Sequence, residues 1–143
     1  MNDTQRARNA SKHIVGALII AGVQVGGALL LTYARKQGMI DAETVTRGVM
    51  VLIGLGLAAF GNTMPKMLDG PPRTVREATA AQSVLRVGGW AMTLSGLAFA
   101  ALWAFAPRGG AEIASVAIVA AGVAFMLGYA VRTGIVSRTS TSD

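Results

Sequence analysis

The sequence predicts an all-α integral membrane protein, built as a four-helix bundle with both termini in the cytoplasm and a single membrane domain over residues 1–143. Two features of composition lead to this prediction: 52% of the 143 residues are hydrophobic and 14% are charged, whereas soluble domains carry roughly 25% charged residues. The third observation is that the charges are gathered into short segments separated by four long uncharged runs. Together these features exclude a disordered chain and disfavour an ordinary soluble enzyme.

The four uncharged runs are each long enough to cross a bilayer as a helix. They cover residues 14–34, 48–64, 87–106 and 113–131, which is 21, 17, 20 and 19 residues. A helix rises about 1.5 Å per residue and the hydrocarbon core is about 30 Å thick, so roughly 17–25 apolar residues span it. The apolar residues are continuous rather than alternating, which favours helices over a β-barrel. We expect the first run to be an uncleaved anchor, because it is longer than the core of a signal peptide.

The positions of Lys and Arg predict the orientation of the four spans. Nine of the thirteen basic residues lie on the side of the two termini and of the loop over residues 65–86, here called the basic loop. The other side holds Arg35, Lys36, Arg47 and Arg108. Cytoplasmic loops are enriched in Lys and Arg, so the termini and the basic loop are expected in the cytoplasm. Because the basic residues are scattered over three short segments, the net charge of +6 does not indicate nucleic-acid binding.

The connections between the runs also predict structure. The second run is the shortest, and we expect Arg47 and Lys66 to extend it by directing their charges to the two interfaces. Thr74-Val75-Arg76-Glu77 fits a capping box, so the third helix is expected to begin near Val75. Pro107-Arg108-Gly109-Gly110 lies in a six-residue link between the last two runs, which predicts a tight antiparallel hairpin.

Small and polar residues inside the first run are candidates for helix packing. Gly22 and Gly26 form the one GxxxG pattern inside a span, which permits close approach of two helix backbones. The partner is either another helix of the same bundle or a second copy of the chain, so a homo-oligomer remains open. Gln24 lies at the middle of this span, where an amide without a partner is costly, and it is expected to face a neighbouring helix.

The reactive residues of the chain are few. No Cys and a single His are present, which excludes thiolate metal sites, Cys nucleophiles and His-rich clusters. Asp41, Glu43 and Glu112 are expected on the outer side, but no nucleophile and base arrangement accompanies them. We therefore expect neither an enzyme nor a bound metal or cofactor.

One short motif resembles a known family. Gly61-Asn62-Thr63-Met64-Pro65-Lys66 resembles the G-N-x-M-P-K signature of the SdpI-type small membrane proteins, in which it closes a transmembrane helix. A cytoplasmic loop with a G-[IV]-R-x-P-W-like stretch follows in that family, and Gly70-Pro71-Pro72-Arg73 is its loose counterpart here. Arg86, Gly88 and Gly89 match the arginine and glycine that open the next helix. The loop tryptophan and the asparagine after the lysine are missing, and the resemblance covers roughly residues 47–106.

This resemblance implies a multi-pass protein of the bacterial inner membrane that protects against a secreted toxic peptide or holds a transcriptional repressor at the membrane. A protein or peptide partner at the basic loop is then expected, beside the lipid bilayer itself. The candidate interaction residues are Asn62, Pro65, Lys66, Arg73, Arg76 and Arg86.

Two other functions remain open. A small oligomeric transporter or channel needs a polar pathway, but the four runs contain no Asp, Glu, Lys or Arg. The other alternative is a structural accessory subunit of a larger membrane assembly, for which the sequence contains no distinguishing feature.

The orientation generates the first prediction. Gly70→Cys in the basic loop should resist a membrane-impermeant maleimide in intact cells and react after permeabilisation, because the distribution of basic residues places this loop inside. Gln37→Cys, in the opposite loop, is the control and should react in intact cells. The chain has no native Cys, so each variant carries one target. Labelling of Gly70→Cys without permeabilisation would refute the orientation.

Overall fold

The computed structural model describes residues 3–66 and 75–139, and these residues form four long α-helices. They are α1 (Asp3–Lys36), α2 (Ala42–Thr63), α3 (Val75–Phe105) and α4 (Arg108–Thr139), with a 3-10 turn at Met64–Lys66 after α2. Each helix contains a stretch long and apolar enough to cross a membrane: Ile14–Lys36, Ala42–Thr63, Ala81–Phe105 and Arg108–Thr133. The all-α class is therefore confirmed, and the four apolar helices are compatible with a membrane four-helix bundle.

All four helices begin before the uncharged runs, and α1 and α4 also end after them, because charged residues occupy those terminal turns. Helix α2 begins at Ala42, six residues before the second run, since Asp41 caps it by accepting a hydrogen bond of 2.7 Å from the backbone N–H of Thr44. The hydrogen bonds from Thr44 hold the pKa of Asp41 below its ordinary value of 3.8. The cap is therefore fully formed at neutral pH and is lost only as the pH falls through this lowered pKa.

The link between α3 and α4 is shorter than the sequence indicated. Helix α3 ends at Phe105 and α4 begins at Arg108, so two residues connect them rather than six. The prediction that Gly109 and Gly110 lie in the link is wrong. Pro107 has no backbone N–H to lose and suits a helix start, and its carbonyl accepts a 2.9 Å hydrogen bond from Ala111. The expected start of α3 at Val75 is confirmed, and Thr74 of the capping box lies outside the described residues.

Helices α2 and α3 pack with their backbones in direct contact. Gly54, Ala58 and Gly61 form a buried stripe on α2. A Cβ atom at Gly54 would lie 2.8 Å from the carbonyl oxygen of Gly96 on α3, and a Cβ atom at Gly96 would lie 2.6 Å from the backbone nitrogen of Ala58. Real Cβ atoms do not approach backbone atoms this closely, so both positions require glycine. This is the small-residue packing that membrane helices use in place of a hydrophobic core.

A threonine adds a hydrogen bond to the same interface. The hydroxyl of Thr93 on α3 donates to the carbonyl of Gly89 at 2.8 Å, and it also lies 3.3 Å from the carbonyl of Ala58 on α2. A hydroxyl that reaches across two helices satisfies its own donor where no water is present. Close glycine packing and this bond together join the two helices along most of their length.

Arg47 joins the other end of the pair. Its Nη1 donates to the carbonyl oxygens of Ala106 at 3.0 Å and Trp103 at 3.4 Å, while its Nε donates to Glu43 at 3.0 Å. The last carbonyls of a helix have no partner within the helix and carry partial negative charge, so a cation there is stabilising. Arg47 of α2 therefore caps α3, a role beyond the interfacial anchor that the sequence suggested.

Helices α1 and α4 flank this central pair. Among the described residues, close helix contacts join only helices that are neighbours in sequence. Helix α1 meets α2 where Leu52 lies over Gly27 and Leu31 lies over Gly48. None of the residues in the most apolar window of the α1 span is buried, against 28% in the window of α3. The apolar side chains of α1 are thus mostly directed away from the protein, as expected for a helix in lipid.

Arg47 generates the second prediction. Arg47→Met should lower the free energy of unfolding by about 1–2 kcal/mol, because it removes charge-assisted hydrogen bonds to the end of α3. Arg108→Met is the matched control, since Arg108 also pairs with a glutamate four residues on, at 3.1 Å, but its side chain is 56% exposed. The control should cost at most about 0.5 kcal/mol. Unfolding titrations with sodium dodecyl sulfate in mixed micelles measure both, and equal losses would contradict the capping role.

Candidate functional site

The candidate site lies where α2 ends, at the six residues Gly61–Lys66, here called the exit turn. The backbone N–H of Met64 bonds to the carbonyl of Gly61, and the hydroxyl of Thr63 donates to the carbonyl of Phe60 at 2.7 Å. These bonds satisfy carbonyls that the end of a helix leaves free. Pro65 has no N–H to donate and lies in the 3-10 turn. The motif therefore ends α2 by a defined local structure.

The exit turn packs against α3 at Gly89, near the middle of that helix and not at its start at Val75, so Arg86, Gly88 and Gly89 do not open a helix here. A Cβ atom at Gly89 would lie 2.7 Å from the carbonyl oxygen of Gly61 and 3.0 Å from Cδ of Pro65. A Cβ atom at Gly61 would lie 2.8 Å from the carbonyl oxygen of Gly89. Two glycines 28 positions apart thus permit the same contact. Gly61 and Pro65 position the point at which the chain leaves α2.

The amide of Asn62 is directed away from this contact. Its side chain is exposed, and within the described part of the chain it makes no hydrogen bond. Gly61, the preceding residue, is buried against α3, so the adjacent position faces another direction. An exposed amide offers two donors and one acceptor to an external group. The role of Asn62 as an interaction residue stays a prediction.

The structure describes only some of the basic residues of the candidate site. Arg73 lies outside the described residues, as do the side chains of Lys66 and Arg76, although the backbone of these two belongs to the 3-10 turn and to the first turn of α3. Arg86 is exposed on α3, three residues before Gly89, and it forms no ion pair within the described residues. Helical spacing therefore places Arg86 within one turn of the exit-turn contact.

The predicted packing residues of α1 lie elsewhere and differ from one another. The amide of Gln24 lies against Gly56 of α2, so closely that a Cβ atom at Gly56 would overlap its nitrogen. Gly22 and Gly26 have open space beside them, and Gly27 is the glycine that contacts α2. The GxxxG pattern is therefore outside the α1–α2 contact, and its use between two copies of the chain remains a prediction.

Sequence reasoning missed Gly89 as the partner of the exit turn, Thr93 as a cross-helix donor and Arg47 as a cap. Each acts on a residue of another helix, and the register between α2 and α3 cannot be read from either helix alone. The signal that was available is the spacing of small residues: positions 54, 58 and 61 on α2 and positions 89, 93, 96 and 100 on α3 each fall on one helix face.

A small cavity of about 60 Å³ lies between α2, α3 and α4, lined by Leu57, Met92, Ser95, Val119, Gly122, Val123 and Met126. Ser95 is the one hydroxyl in that lining. Among the described residues, no three His, Asp or Glu side chains are grouped closely enough to hold a metal ion. The exit turn offers the exposed amide of Asn62, and Arg86 is exposed within one helical turn of Gly89; both groups are able to bind an acidic or polar partner.

No family model, curated protein or solved structure matches this chain. The resemblance of Gly61–Lys66 to the SdpI-type signature thus stays an expectation from the sequence. What the structure adds is the local geometry of the motif: it ends α2, and it packs on Gly89 of α3.

Two adjacent glycines generate the third prediction. Gly89→Ala should displace the exit turn, because the new Cβ atom meets backbone at 2.7 Å, whereas Gly88→Ala meets only the flexible side chain of Met126 at 3.2 Å. We expect Gly89→Ala to lower the free energy of unfolding by about 1–3 kcal/mol and to speed proteolysis between residues 67 and 74. Gly88→Ala is a matched control because it makes the same change one residue away. Equal behaviour of the two variants in limited proteolysis would disprove the contact.

Proposed function

We propose that this chain is an integral protein of the bacterial inner membrane, of the SdpI type, that acts in toxin immunity or signalling through the basic loop. Both termini and the basic loop face the cytoplasm in this proposal. The observation that carries it is the packing of the exit turn on α3: Gly61 and Pro65 of the family-like signature contact Gly89, so the signature has a definite place in the fold.

The packing supports an interaction role for the loop that follows. Helices α2 and α3 are in backbone contact on both sides of Ala58, so the two ends of the basic loop are held at a constant separation. In this proposal Lys66, Arg73 and Arg76 supply the positive charge of the loop. A loop anchored in this way loses less conformational freedom when a partner binds, and its positive charge favours an acidic protein or peptide.

The membrane assignment supports the location. The net charge of +6 and the nine-to-four division of basic residues agree with cytoplasmic placement of the loop. A soluble repressor or the cytoplasmic tail of another membrane protein reaches such a surface directly.

Gln24 favours a second candidate, a small oligomeric transporter or channel. Its amide lies near the middle of a span and makes no hydrogen bond within the described residues, and a polar group at this depth is expensive unless it serves a pathway or a packing contact. Against this candidate, the glycine contacts between α2 and α3 leave no passage between those two helices. A structural accessory subunit is the remaining alternative.

The fourth prediction separates these candidates. In a bacterial strain that lacks its own copy of the gene, survival in medium conditioned by the parent strain should be restored by the wild-type chain. The double variant Arg73→Gln and Arg76→Gln should fail to restore it, because it removes two charges of the loop while seven inner basic residues still outnumber four outer ones. Gln24→Leu should restore survival, or should merely reduce the amount of protein.

The double variant Arg35→Gln and Lys36→Gln is the matched control, since it removes the same charge from the opposite side of the membrane. It should restore survival fully. Immunoblots of the membrane fraction verify equal abundance. Loss of protection by Gln24→Leu at normal abundance, with protection retained by the Arg73 and Arg76 variant, would overturn the proposal in favour of transport.

A further inference from the structure

A groove on the exposed surface between α3 and α4 combines apolar side chains with a charged end. It has a volume of about 530 Å³ and is lined by Val87, Trp90, Leu94 and Phe125, with Arg86 at one end. The indole of Trp90 belongs to a side chain that is 61% exposed. The volume is within the range of sites that hold small molecules, roughly 300–1,000 Å³. An exposed apolar groove of this kind in a membrane span is filled by lipid or by another helix.

A second arginine, Arg132 of α4, lies beyond the same end of the groove. Helices α3 and α4 are antiparallel, and the contacts of Gly88 with Met126 and of Gly122 with Ser95 define their register. Arg86 lies two residues from Gly88 toward the N-terminus of α3, which is about 3 Å along the helix axis. Arg132 lies six residues from Met126 toward the C-terminus of α4, which is about 9 Å in the same direction. Adjacent helices therefore carry the two arginines toward the same end of the groove, about 6 Å apart along the axes.

The positive charge at this end is not neutralised by the described residues. Arg86 and Arg132 are both exposed, and neither forms an ion pair or hydrogen bond within the part of the chain that the structure describes. The carboxylates whose side chains the structure describes are Asp41, Glu43 and Glu112, and they lie at the other end of the helices. Among the side chains that the structure describes, the positive charge of the groove thus has no counter-ion.

We propose that this groove binds an anionic phospholipid of the bilayer, with the phosphate at Arg86 and Arg132 and an acyl chain along Val87, Leu94 and Phe125. Arginine binds phosphate through paired N–H donors, and Trp90 lies about one helical turn from Arg86, close to the headgroup level that indole prefers. Basic pockets between transmembrane helices are known to select anionic headgroups. The net negative charge of the lipid, rather than its acyl chain, provides the selectivity. This proposal does not depend on the proposed function.

The two tryptophans make a direct test practical. Trp90 is exposed at the groove, whereas Trp103 is 5% exposed and its indole N–H is buried without a hydrogen-bond partner among the described residues. Trp103→Phe therefore costs no hydrogen bond and leaves Trp90 as the single fluorophore. The chain is reconstituted in phosphatidylcholine vesicles that contain a minor fraction of brominated lipid, either phosphatidylglycerol or phosphatidylcholine, and quenching of Trp90 is compared at equal mole fractions.

The fifth prediction is that brominated phosphatidylglycerol quenches Trp90 more strongly, with an apparent preference over phosphatidylcholine of about fivefold for each arginine. Arg86→Gln should reduce this preference about fivefold. Arg35→Gln, which removes an exposed arginine from α1, is the matched control and should leave it unchanged. Should Trp103→Phe fail to fold, native mass spectrometry of the wild-type chain and of Arg86→Gln provides the same comparison through the number of phosphatidylglycerol molecules retained.

Three outcomes would overturn the lipid site. One is equal quenching by the two brominated lipids. Another is a preference that survives the double variant Arg86→Gln and Arg132→Gln with unchanged helix content. The third is quenching by both lipids that increases equally as the protein is diluted in the vesicles, which would show that a second copy of the chain covers the groove.

Discussion

The backbone contact between α2 and α3 is the constraint on which the rest of this structure depends. Without a hydrophobic driving force inside the bilayer, two helices associate only where their surfaces fit closely. Gly54 and Gly96 allow that fit at the middle, Gly61 and Gly89 allow it at one end, and Arg47 closes the other end by capping α3. Helices α1 and α4 then attach to the outer sides of a pair that is already joined.

Composition and charge segregation were sufficient to predict the fold class and the number of spans, because burial in lipid requires long uncharged runs. The start of α3 at Val75 was also predictable, since it follows prolines. The start of α2 was missed because Glu43 and Arg47 look like loop residues when charge alone is counted. Within the helix they pair with each other at 3.0 Å, and Arg47 also has the end of α3 as a partner.

The candidate site was predictable only in outline. The motif at Gly61–Lys66 pointed to the end of α2, but its contact with Gly89 depends on the antiparallel register of two helices, which no local pattern encodes. The same limit applies to Gly22 and Gly26: a GxxxG pattern shows that close packing is permitted, and Gly27 makes the contact with Leu52 instead. Arg86 and Trp90 came to share a groove with residues of α4 only through the fold.

The short link between α3 and α4 has a consequence for how the chain is made. In the proposed orientation this link is the part that the insertion machinery has to carry across the bilayer after α3. The link consists of Ala106 and Pro107. Arg108 and Glu112 follow it at the start of α4, and their side chains pair at 3.1 Å. The translocated end therefore carries no net charge, and the last two helices are able to enter the membrane together as a preformed hairpin.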